Sequence, residues 1–209
     1  MAAFRHGEVV QIVTFDIQSA YDTVWREGLV RKLEVIGMEP YIISWLYSFL
    51  SDRCCSLEVG GSTLEVAREC CLPQGSPLFP TLLLVYIDDL LHSLRRVCTF
   101  CSQGFADNLA LWIVGKLRTG ETNPLLMRGL QVLEDWARQW RIRFSPQKCI
   151  CVCFRGKNTR VEREFEVRLH GEPLPHSHAV RCLGVWFDEH LTWNRHLSEV
   201  TSCAQARLW

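Results

Sequence analysis

The sequence predicts an α+β fold in which helices pack on one face of a largely antiparallel sheet. Short runs of β-forming residues separated by turn residues indicate hairpins. Apolar residues at helical spacing indicate amphipathic helices between those hairpins. The order is a strand, helices, a hairpin, a helix, a second hairpin, a helix and further strands, which is typical of an α+β domain. With 209 residues, 48% of them hydrophobic, the chain is long enough to bury the core of one compact domain.

The first half of the chain is predicted to contain a buried strand, three helices and a hairpin. Residues 9–15 are β-formers that end at Asp16, so this strand delivers a carboxylate at its C-terminal end. Helical spacing over residues 22–36 predicts a helix that stops at Gly37, and Asp22 is interpreted as its N-cap because aspartate is a favoured cap. The other predicted elements are a helix over residues 40–50, a hairpin of residues 54–59 and 63–71, and a long helix over residues 78–94.

The second half is predicted to contain another hairpin, an amphipathic helix and several strands. Residues 97–105 and 109–114 are apolar runs, and a hairpin of these two would have Asp107 and Asn108 at its tip. Residues 124–140 have an apolar helical face whose tryptophans are expected to pack in the core. Strands are expected near residues 149–154, 165–169 and 180–187, followed by a helix from about residue 193.

The distribution of charged and apolar residues bears on whether the protein binds nucleic acid or spans a membrane. The chain has 23 Lys and Arg and 23 Asp and Glu, so its zero formal net charge gives no global sign of nucleic-acid binding. The charge is uneven, because residues 138–181 hold ten Lys or Arg and four Asp or Glu. Such a segment is most often a solvated face, but it would also suit a nucleic-acid backbone. No apolar run approaches the ~20 residues that span a bilayer, and the first residues lack the apolar core of a signal peptide.

The eleven cysteines are interpreted as reduced thiols. Their number is odd and no secretory signal is visible, which favours an intracellular protein of the nucleus or the cytoplasm. Cys98 and Cys101 have the spacing of half a zinc site. A cysteine-based metal-binding protein is therefore an alternative, although no second Cys-x-x-Cys is present. The missing ligands would have to come from Cys149, Cys151, His176 or His178.

Asp16 and Asp107 are candidates for a shared metal site. Each is a carboxylate at the end of an apolar run, where it is costly unless it is paired or bound to metal. Two carboxylates that converge from adjacent strands offer the hard oxygen ligands that Mg²⁺ prefers. Two Mg²⁺ ions about 3.5–4 Å apart can serve an in-line phosphoryl displacement. Acid-tipped hairpins are also common as simple turns, so spacing alone leaves both interpretations open.

Several motifs in a fixed order make the chain similar to a known family. They are Phe15-Asp16-Ile17-Gln18-Ser19-Ala20-Tyr21-Asp22, Leu72-Pro73-Gln74-Gly75-Ser76-Pro77, Phe105-Ala106-Asp107-Asn108, Phe144-Ser145-Pro146-Gln147-Lys148 and Cys182-Leu183-Gly184-Val185. Together they resemble the palm of a reverse transcriptase, an RNA-directed DNA polymerase, from a non-LTR retrotransposon of the LINE or jockey kind. The resemblance extends from about Val9 to Trp193. It implies a polymerase palm that carries out two-metal nucleotidyl transfer.

The resemblance implies catalytic roles for particular residues. Asp16 and Asp107 match the metal-binding aspartates of the family, and the carbonyl of Ile17 would help to hold the second ion. Lys148 matches a basic residue proposed as the proton donor to the leaving pyrophosphate. Asn108 stands where the family has a second aspartate at the hairpin tip. An amide brings an oxygen but no charge, so Asn108 is expected to be a weakened third ligand.

The resemblance also implies contacts with the substrates. Tyr21 matches the bulky side chain that lies against the sugar and excludes a 2′-hydroxyl, which is a steric means of selection. Gln74 and Gly75 match the loop that packs against the incoming nucleotide and the template. Leu183, Gly184 and Val185 match a turn near the primer-gripping hairpin, where glycine permits a close backbone approach.

Cofactor, partners and extent follow from the same resemblance. It implies Mg²⁺, with Mn²⁺ as a substitute, together with an RNA template, a DNA primer and deoxynucleoside triphosphates, and no membrane. Residues 1–155 are expected to form the palm core. Residues 156–209 are expected to form the end of the palm, with a primer-grip-like hairpin and the start of a truncated C-terminal region. The missing fingers and thumb would belong to a longer polymerase. The alternative is a catalytically inactive, retroelement-derived palm fragment that acts as a binding module or is a non-functional relic.

A second acidic motif, Tyr86-Ile87-Asp88-Asp89, is similar to the Tyr-x-Asp-Asp box of retroviral reverse transcriptases. We predict that it is not the catalytic box. It continues an apolar run at helical spacing, and no turn residue interrupts it. Asp88 and Asp89 are therefore expected near the C-terminal end of a helix, facing solvent or a basic partner.

Overall fold

The fold is an antiparallel sheet with helices and three small hairpins. A computed structural model describes residues 8–51, 53–68, 72, 75–97, 101–105, 108–116, 122–157 and 166–207. Within these ranges no helix is long and apolar enough to cross a membrane. The helices are α1 (Arg26–Val35), α2 (Pro40–Leu50), α3 (Leu78–Val97), α4 (Thr122–Gln139) and α5 (Asn194–Ala206). The strands are β1 (Glu8–Asp16), β2 (Arg53–Val59), β3 (Ser62–Arg68), β4 (Cys101–Phe105), β5 (Asn108–Lys116), β6 (Ile150–Phe154), β7 (Arg168–Leu169), β8 (Glu172–Pro173), β9 (Ala179–Cys182) and β10 (Val185–Asp188).

The central sheet has β1 in its interior. Its strand order is β4-β5-β1-β6, and every neighbouring pair is antiparallel. Along β1, buried residues alternate with half-buried residues, as expected when the two faces of a strand meet different environments. The register pairs Asp16 with Asn108 at one end of the β1–β5 ladder. The predicted α+β class and its antiparallel sheet are confirmed.

One face of the sheet packs against helices. Its buried core contains Val13 and Phe15 of β1 together with Leu33 of α1, Leu83 of α3 and Leu130 of α4. Burying a leucine or phenylalanine of this kind contributes about 2 kcal/mol. The helical face therefore supplies most of the apolar stabilisation of the domain.

The opposite face is covered only in part. The hairpin of β9 and β10 packs beside β6, where Val152, Phe154 and Val180 form a small second core. Val10 and Ile12 of β1 pack against that core, and they alternate with the residues that face the helices. Side chains at every second position of a strand share one face. Asp16 therefore lies on the same face of the sheet as the β9–β10 hairpin.

Most predicted elements are confirmed, with shifts at their ends. Helix α2 has the predicted bounds, and α3 extends three residues beyond the predicted end at residue 94. Helix α1 stops as predicted at Gly37, whose φ of 80° favours glycine and whose N–H donates to the Glu34 carbonyl at 3.0 Å. The hairpin of β2 and β3 turns at Gly60 and Gly61 as expected.

Two predictions are wrong in their details. Asp22 does not cap a helix, because α1 begins at Arg26 after Trp25, and the N–H of Asp22 instead donates to the Ser19 carbonyl at 2.8 Å. Residues 180–187 form two strands rather than one. The chain reverses between β9 and β10 because Leu183 and Gly184 both have positive φ angles, of 49° and 87°, as in the tight turns that hairpins favour.

Candidate active site

A cleft of about 390 Å³ opens at the C-terminal end of β1. Its lining comes from β1, the turn that follows it, the loop before α3, the start of α3 and the loop before β6. The lining residues are Asp16, Ile17, Ser19, Ala20, Tyr21, Gly75, Ser76, Phe79, Pro80 and Lys148. Five of them were predicted as site residues from the motifs, namely Asp16, Ile17, Tyr21, Gly75 and Lys148. The fold thus brings together residues up to 132 positions apart in the sequence.

Asp16 has one cation beside it in this cleft. The Nζ atom of Lys148 lies 3.3 Å from Oδ1 of Asp16, and the two side chains are 66% and 31% exposed. An ion pair this exposed contributes at most about 1 kcal/mol, so the lysine can leave the carboxylate at little cost. The loop that carries Lys148 is held at the end of β1. The Ser145 N–H donates to the Asp16 carbonyl at 3.2 Å, and a β-bridge joins Ile17 to Phe144.

Asn108 is the direct partner of Asp16 across the β1–β5 ladder. Directly opposite residues of an antiparallel pair have Cβ atoms about 4.5–5.5 Å apart and project to the same face. An amide therefore lies beside the Asp16 carboxylate, on the face opposite to the helices. The predicted site residues Asp107 and Gln74 lie outside the described residues, so their roles stay predictions.

Tyr21 lines the cleft from a turn that links β1 to α1. The turn is fixed locally, because Ser19 has a φ of 49° and the Thr23 hydroxyl donates to the Ser19 carbonyl at 3.2 Å. The Leu72 N–H donates to the Tyr21 carbonyl at 2.7 Å, so the loop before α3 is tied to this turn. That loop contains Gly75, whose φ of 108° strongly favours glycine.

The predicted primer-grip turn lies at the tip of the β9–β10 hairpin. Leu183 and Gly184 form the turn, Leu183 is 64% exposed, and Val185 begins β10. The hairpin packs on the same sheet face as Asp16, although its tip does not line the cleft at Asp16.

The Tyr86-Ile87-Asp88-Asp89 motif lies within α3, as predicted, rather than at a hairpin tip. It is not close to the helix end as expected, because α3 continues for two more turns to Val97. Pro80, in the first turn of α3, lines the cleft, and eight further residues of helix place Asp88 about 12 Å along the axis from it. Asp88 is exposed and pairs with His92 at 3.3 Å.

Asp89 faces a basic partner, as expected, and the structure identifies this partner as Lys32 of α1. Its Oδ1 lies 2.6 Å from Nζ of Lys32 and accepts a hydrogen bond of 2.9 Å from the Trp136 indole. Lys32 is 6% exposed, and its Nζ lies 4.6, 4.7 and 3.8 Å from the ring centroids of Tyr86, Trp136 and Trp140. The signal for this residue was a lysine within the apolar face of α1. The predicted core position is confirmed for Trp136, which is buried, whereas Trp140 is only partly buried and packs against the core.

Burial controls the charge of Lys32. Desolvation lowers the pKa of its ammonium from 10.5 to about 8, and the hydrogen bond and the charge of Asp89 oppose that shift. The Tyr86 carbonyl also accepts a hydrogen bond from this ammonium. These contacts join α1, α3 and α4 and use Asp89 for packing rather than for metal binding.

Six cysteines have free thiols, namely Cys101, Cys149, Cys151, Cys153, Cys182 and Cys203. Burial raises the pKa of Cys149 to about 11 and that of Cys151 to about 12, so both thiols are protonated at neutral pH. Metal ligation requires the thiolate, which burial disfavours here. Among the described residues no group of three or more His, Cys, Asp or Glu could hold a metal ion, and Cys98 lies outside them.

Comparisons with known proteins agree with the motifs. The family described as "Reverse transcriptase (RNA-dependent DNA polymerase)" matches residues 2–187. The chain is 29% identical over its whole length to the RNA-directed DNA polymerase from the mobile element jockey of Drosophila funebris. It is also 29% identical to the probable RNA-directed DNA polymerase from transposon BS of Drosophila melanogaster. The chain spans 23% of the length of each of these two relatives.

Solved structures support the same fold. Apo telomerase from Candida tropicalis, truncated from its C-terminal domain, has a TM-score of 0.60 at 12% identity. That likeness covers 89% of this chain and 35% of the telomerase chain. Telomerase from Candida albicans in complex with a fragment of telomeric RNA has a TM-score of 0.54 over 88% of this chain and 31% of that chain, again at 12% identity. With the family match across most of its residues, the chain belongs to the reverse transcriptase (RNA-dependent DNA polymerase) family, and its relatives are polymerases of jockey-like non-LTR retrotransposons.

Proposed function

We propose that this chain forms the nucleotidyl-transfer centre of an RNA-directed DNA polymerase that extends a DNA 3′-hydroxyl on an RNA template. The observation that carries the proposal is the position of Asp16 at the end of β1, opposite Asn108 and in one cleft with Tyr21, Gly75 and Lys148. Membership in the reverse transcriptase family supports it. The chain spans less than a quarter of the length of the polymerases it resembles, so the complete activity is proposed for a longer protein that contains it.

The donor atoms around Asp16 suit Mg²⁺. A carboxylate, the backbone carbonyl of Ile17 and the amide oxygen of Asn108 are hard oxygen donors, which Mg²⁺ and Mn²⁺ both accept. Asp107, adjacent to Asn108 in the sequence, is proposed as the second carboxylate. The exposure of Asp16, at 31%, leaves the carboxylate open to the cleft. When bound as a pair, the ions would stabilise charge on the attacking and leaving oxygens of the in-line displacement.

Lys148 and Tyr21 are proposed to act on the nucleotide itself. The ammonium of Lys148 is accessible and adjacent to Asp16, so it is suited to donate a proton to the leaving pyrophosphate. Tyr21 forms part of the cleft wall in the turn after β1, where a ring can occupy the space that a 2′-hydroxyl would need. Gly75, which also lines the cleft, has no side chain to obstruct a nucleotide.

Asn108 favours a second candidate. In this alternative the chain is a catalytically inactive palm fragment that acts as a binding module or is a relic. An amide opposite Asp16 adds no negative charge to the proposed metal site, so the affinity for Mg²⁺ falls. The two candidates differ in activity, and the same variant tests both.

Primer extension tests the proposal. We expect the longer protein that contains this chain to extend a DNA primer on an RNA template with Mg²⁺ or Mn²⁺. In that protein Asn108→Asp should lower the Mg²⁺ concentration needed for half-maximal activity by about 10-fold, since one added charge interaction of about 1.4 kcal/mol is tenfold in affinity. Asn194→Asp, at the start of α5, is a matched control that adds the same charge far along the chain. If neither the native protein nor Asn108→Asp extends a primer, the inactive candidate replaces the polymerase.

Sugar selection provides a test of Tyr21. Tyr21→Ala should raise the ratio of ribonucleotide to deoxyribonucleotide incorporation by about 10- to 100-fold, because the gate acts by bulk. Tyr21→Phe keeps the ring and should leave the ratio unchanged, which separates bulk from the hydroxyl group. The ratio is measured by primer extension with each nucleotide in turn. An unchanged ratio in Tyr21→Ala would remove this residue from the nucleotide site.

A further inference from the structure

Exposed cations extend from the cleft along the segment that precedes Lys148. Ile142 and Phe144 are each 4% exposed and anchor this segment in the core. Arg141 and Arg143 alternate with them and are exposed. Arg141 has a φ of 58° and lies in the turn that ends α4, and Arg143 lies two residues further on, just before the β-bridge at Phe144. The segment therefore presents a short row of two guanidinium groups to solvent.

This row is continuous with the cleft. The carbonyl of Arg143 accepts a hydrogen bond of 2.8 Å from the Gln18 N–H, two residues after Asp16. The next bond along the segment joins Ser145 to the Asp16 carbonyl. The backbone of the row thus lies directly beside the strand end that carries the proposed metal ligand.

Trp25 extends the row onto α1. The guanidinium carbon of Arg141 lies 4.2 Å from the Trp25 ring centroid, and that of Arg31 lies 5.5 Å from it. Stacking on an aromatic ring orders a guanidinium group and leaves its edge free to donate hydrogen bonds. Trp25 is itself fixed, because a methyl group on Gly28 would come within 2.6 Å of its ring.

These arginines have no acidic partner within the described residues. No carboxylate there lies within 4.0 Å of Arg31, Arg141 or Arg143, whereas Arg138, nearby on α4, is paired with Asp135 at 2.8 Å. The whole chain has zero formal net charge, so an uncompensated basic surface is a local property and not a consequence of excess charge. Three exposed guanidinium groups without a carboxylate partner, one of them on the segment that borders the cleft, are suited to bind phosphates.

We propose that Arg31, Arg141 and Arg143, the arginine ridge, bind the phosphate backbone of the RNA strand beside the cleft. The identity of the strand rests on the proposed function, while the phosphate chemistry rests on the ridge itself. A linear polyanion fits better than a free triphosphate, because the cations are spread along a segment and around a tryptophan instead of converging on one point. Each phosphate contact contributes affinity that falls with salt, by about 0.7 in the slope of log K against log[salt] for a single strand.

Salt-dependent RNA binding tests the ridge. The anisotropy of a short fluorescein-labelled RNA is measured with the full chain between about 50 and 200 mM salt. Replacing the three ridge arginines with glutamine should lower the slope by about 2 and the affinity near 100 mM salt by roughly 100-fold. Replacing them with lysine keeps the charges and should preserve most of the slope. Arg138→Gln removes one positive charge from the end of α4 and should leave the slope within error of the native value.

Particular outcomes would overturn the inference. If the triple glutamine variant folds and keeps the native slope, the RNA binds elsewhere. If Arg138→Gln loses as much slope as the triple variant, RNA binding depends on the overall positive charge and not on the ridge. Displacement of the RNA by inorganic triphosphate at equal phosphate concentration would assign the ridge to nucleotides instead. Asp16→Asn separates the two proposals, because it should abolish extension and keep RNA binding. Binding of RNA through the ridge by a longer native protein that extends no primer would refute the polymerase and leave the ridge proposal intact.

Discussion

Replacing Asp16 with asparagine should lower the rate of primer extension about 1,000-fold. Removing one preorganised charge-stabilising group from an active site costs about 100- to 1,000-fold. Here the group is removed from the proposed metal site, in which the neighbour of Asp16 across the ladder is the amide of Asn108. Asp107 would then be the remaining acidic ligand among the proposed ones. Single-turnover primer extension at saturating nucleotide and Mg²⁺ measures the effect directly.

Asp22→Asn is the matched control for this experiment. Asp22 lies six residues further along the chain, is exposed, and belongs to the same connection between β1 and α1, but it does not line the cleft. It should retain activity within about 2-fold, as surface substitutions away from a site usually do. Thermal unfolding of both variants shows whether the fold is retained. Extension by Asp16→Asn at near-native rates would mean that Asp16 is not a metal ligand.

Replacing Asp89 with alanine should destabilise the protein by about 2 kcal/mol at pH 7. The change leaves the ammonium of Lys32 buried among aromatic rings without its carboxylate partner. Removing one partner of a fully buried pair costs about 3–5 kcal/mol, and the cost is smaller here because the Asp89 side chain is 45% exposed. Urea unfolding at pH 7 measures it. Asp88→Ala, in the adjacent exposed position, should cost less than about 0.5 kcal/mol.

The loss of unfolding free energy caused by Asp89→Ala should be smaller at alkaline pH. Burial lowers the pKa of Lys32 to about 8 in the folded protein, below the ordinary value of 10.5. At pH 9.5 Lys32 is mostly neutral in the folded state, so little of the ion pair remains to be lost. In the native protein the unfolded state binds more protons between pH 8 and 10.5, so Lys32 makes stability rise with pH in that window. An equal cost of Asp89→Ala at pH 7 and pH 9.5 would contradict this account.

Local patterns determined most secondary structure and the motif positions. The spacing of apolar residues predicted α2, α3 and α4, because a helix that buries one face has apolar residues every three or four positions. Glycines marked turns where the backbone needs a positive φ, as at Gly37 and Gly60. The absence of a turn residue near Asp88 and Asp89 was enough to exclude a hairpin there.

Local patterns were less informative where two signals competed. Asp22 has the chemistry of a helix cap, but the turn around Ser19 uses the residues before α1 to shape the cleft, and the helix begins later. The run of residues 180–187 is rich in β-formers, and only the turn geometry at Leu183 divides it into two strands. Competing local preferences of this kind are resolved by packing.

Only the tertiary structure decided which distant residues meet. The family resemblance implied one site for Asp16, Tyr21, Gly75 and Lys148, but no local pattern along the chain brings them together. The pairing of β1 with β6 and the bond from Leu72 to Tyr21 hold these segments beside one cleft. The same packing of α1 on α3 and α4 assigned Asp89 to Lys32, a contact across 57 positions that no local pattern encodes. Side-chain periodicity reports which face of an element is buried, but not against which element. Which helices and strands pack together depends on how well their whole buried faces fit in the core. That packing brings the residues of the candidate site together.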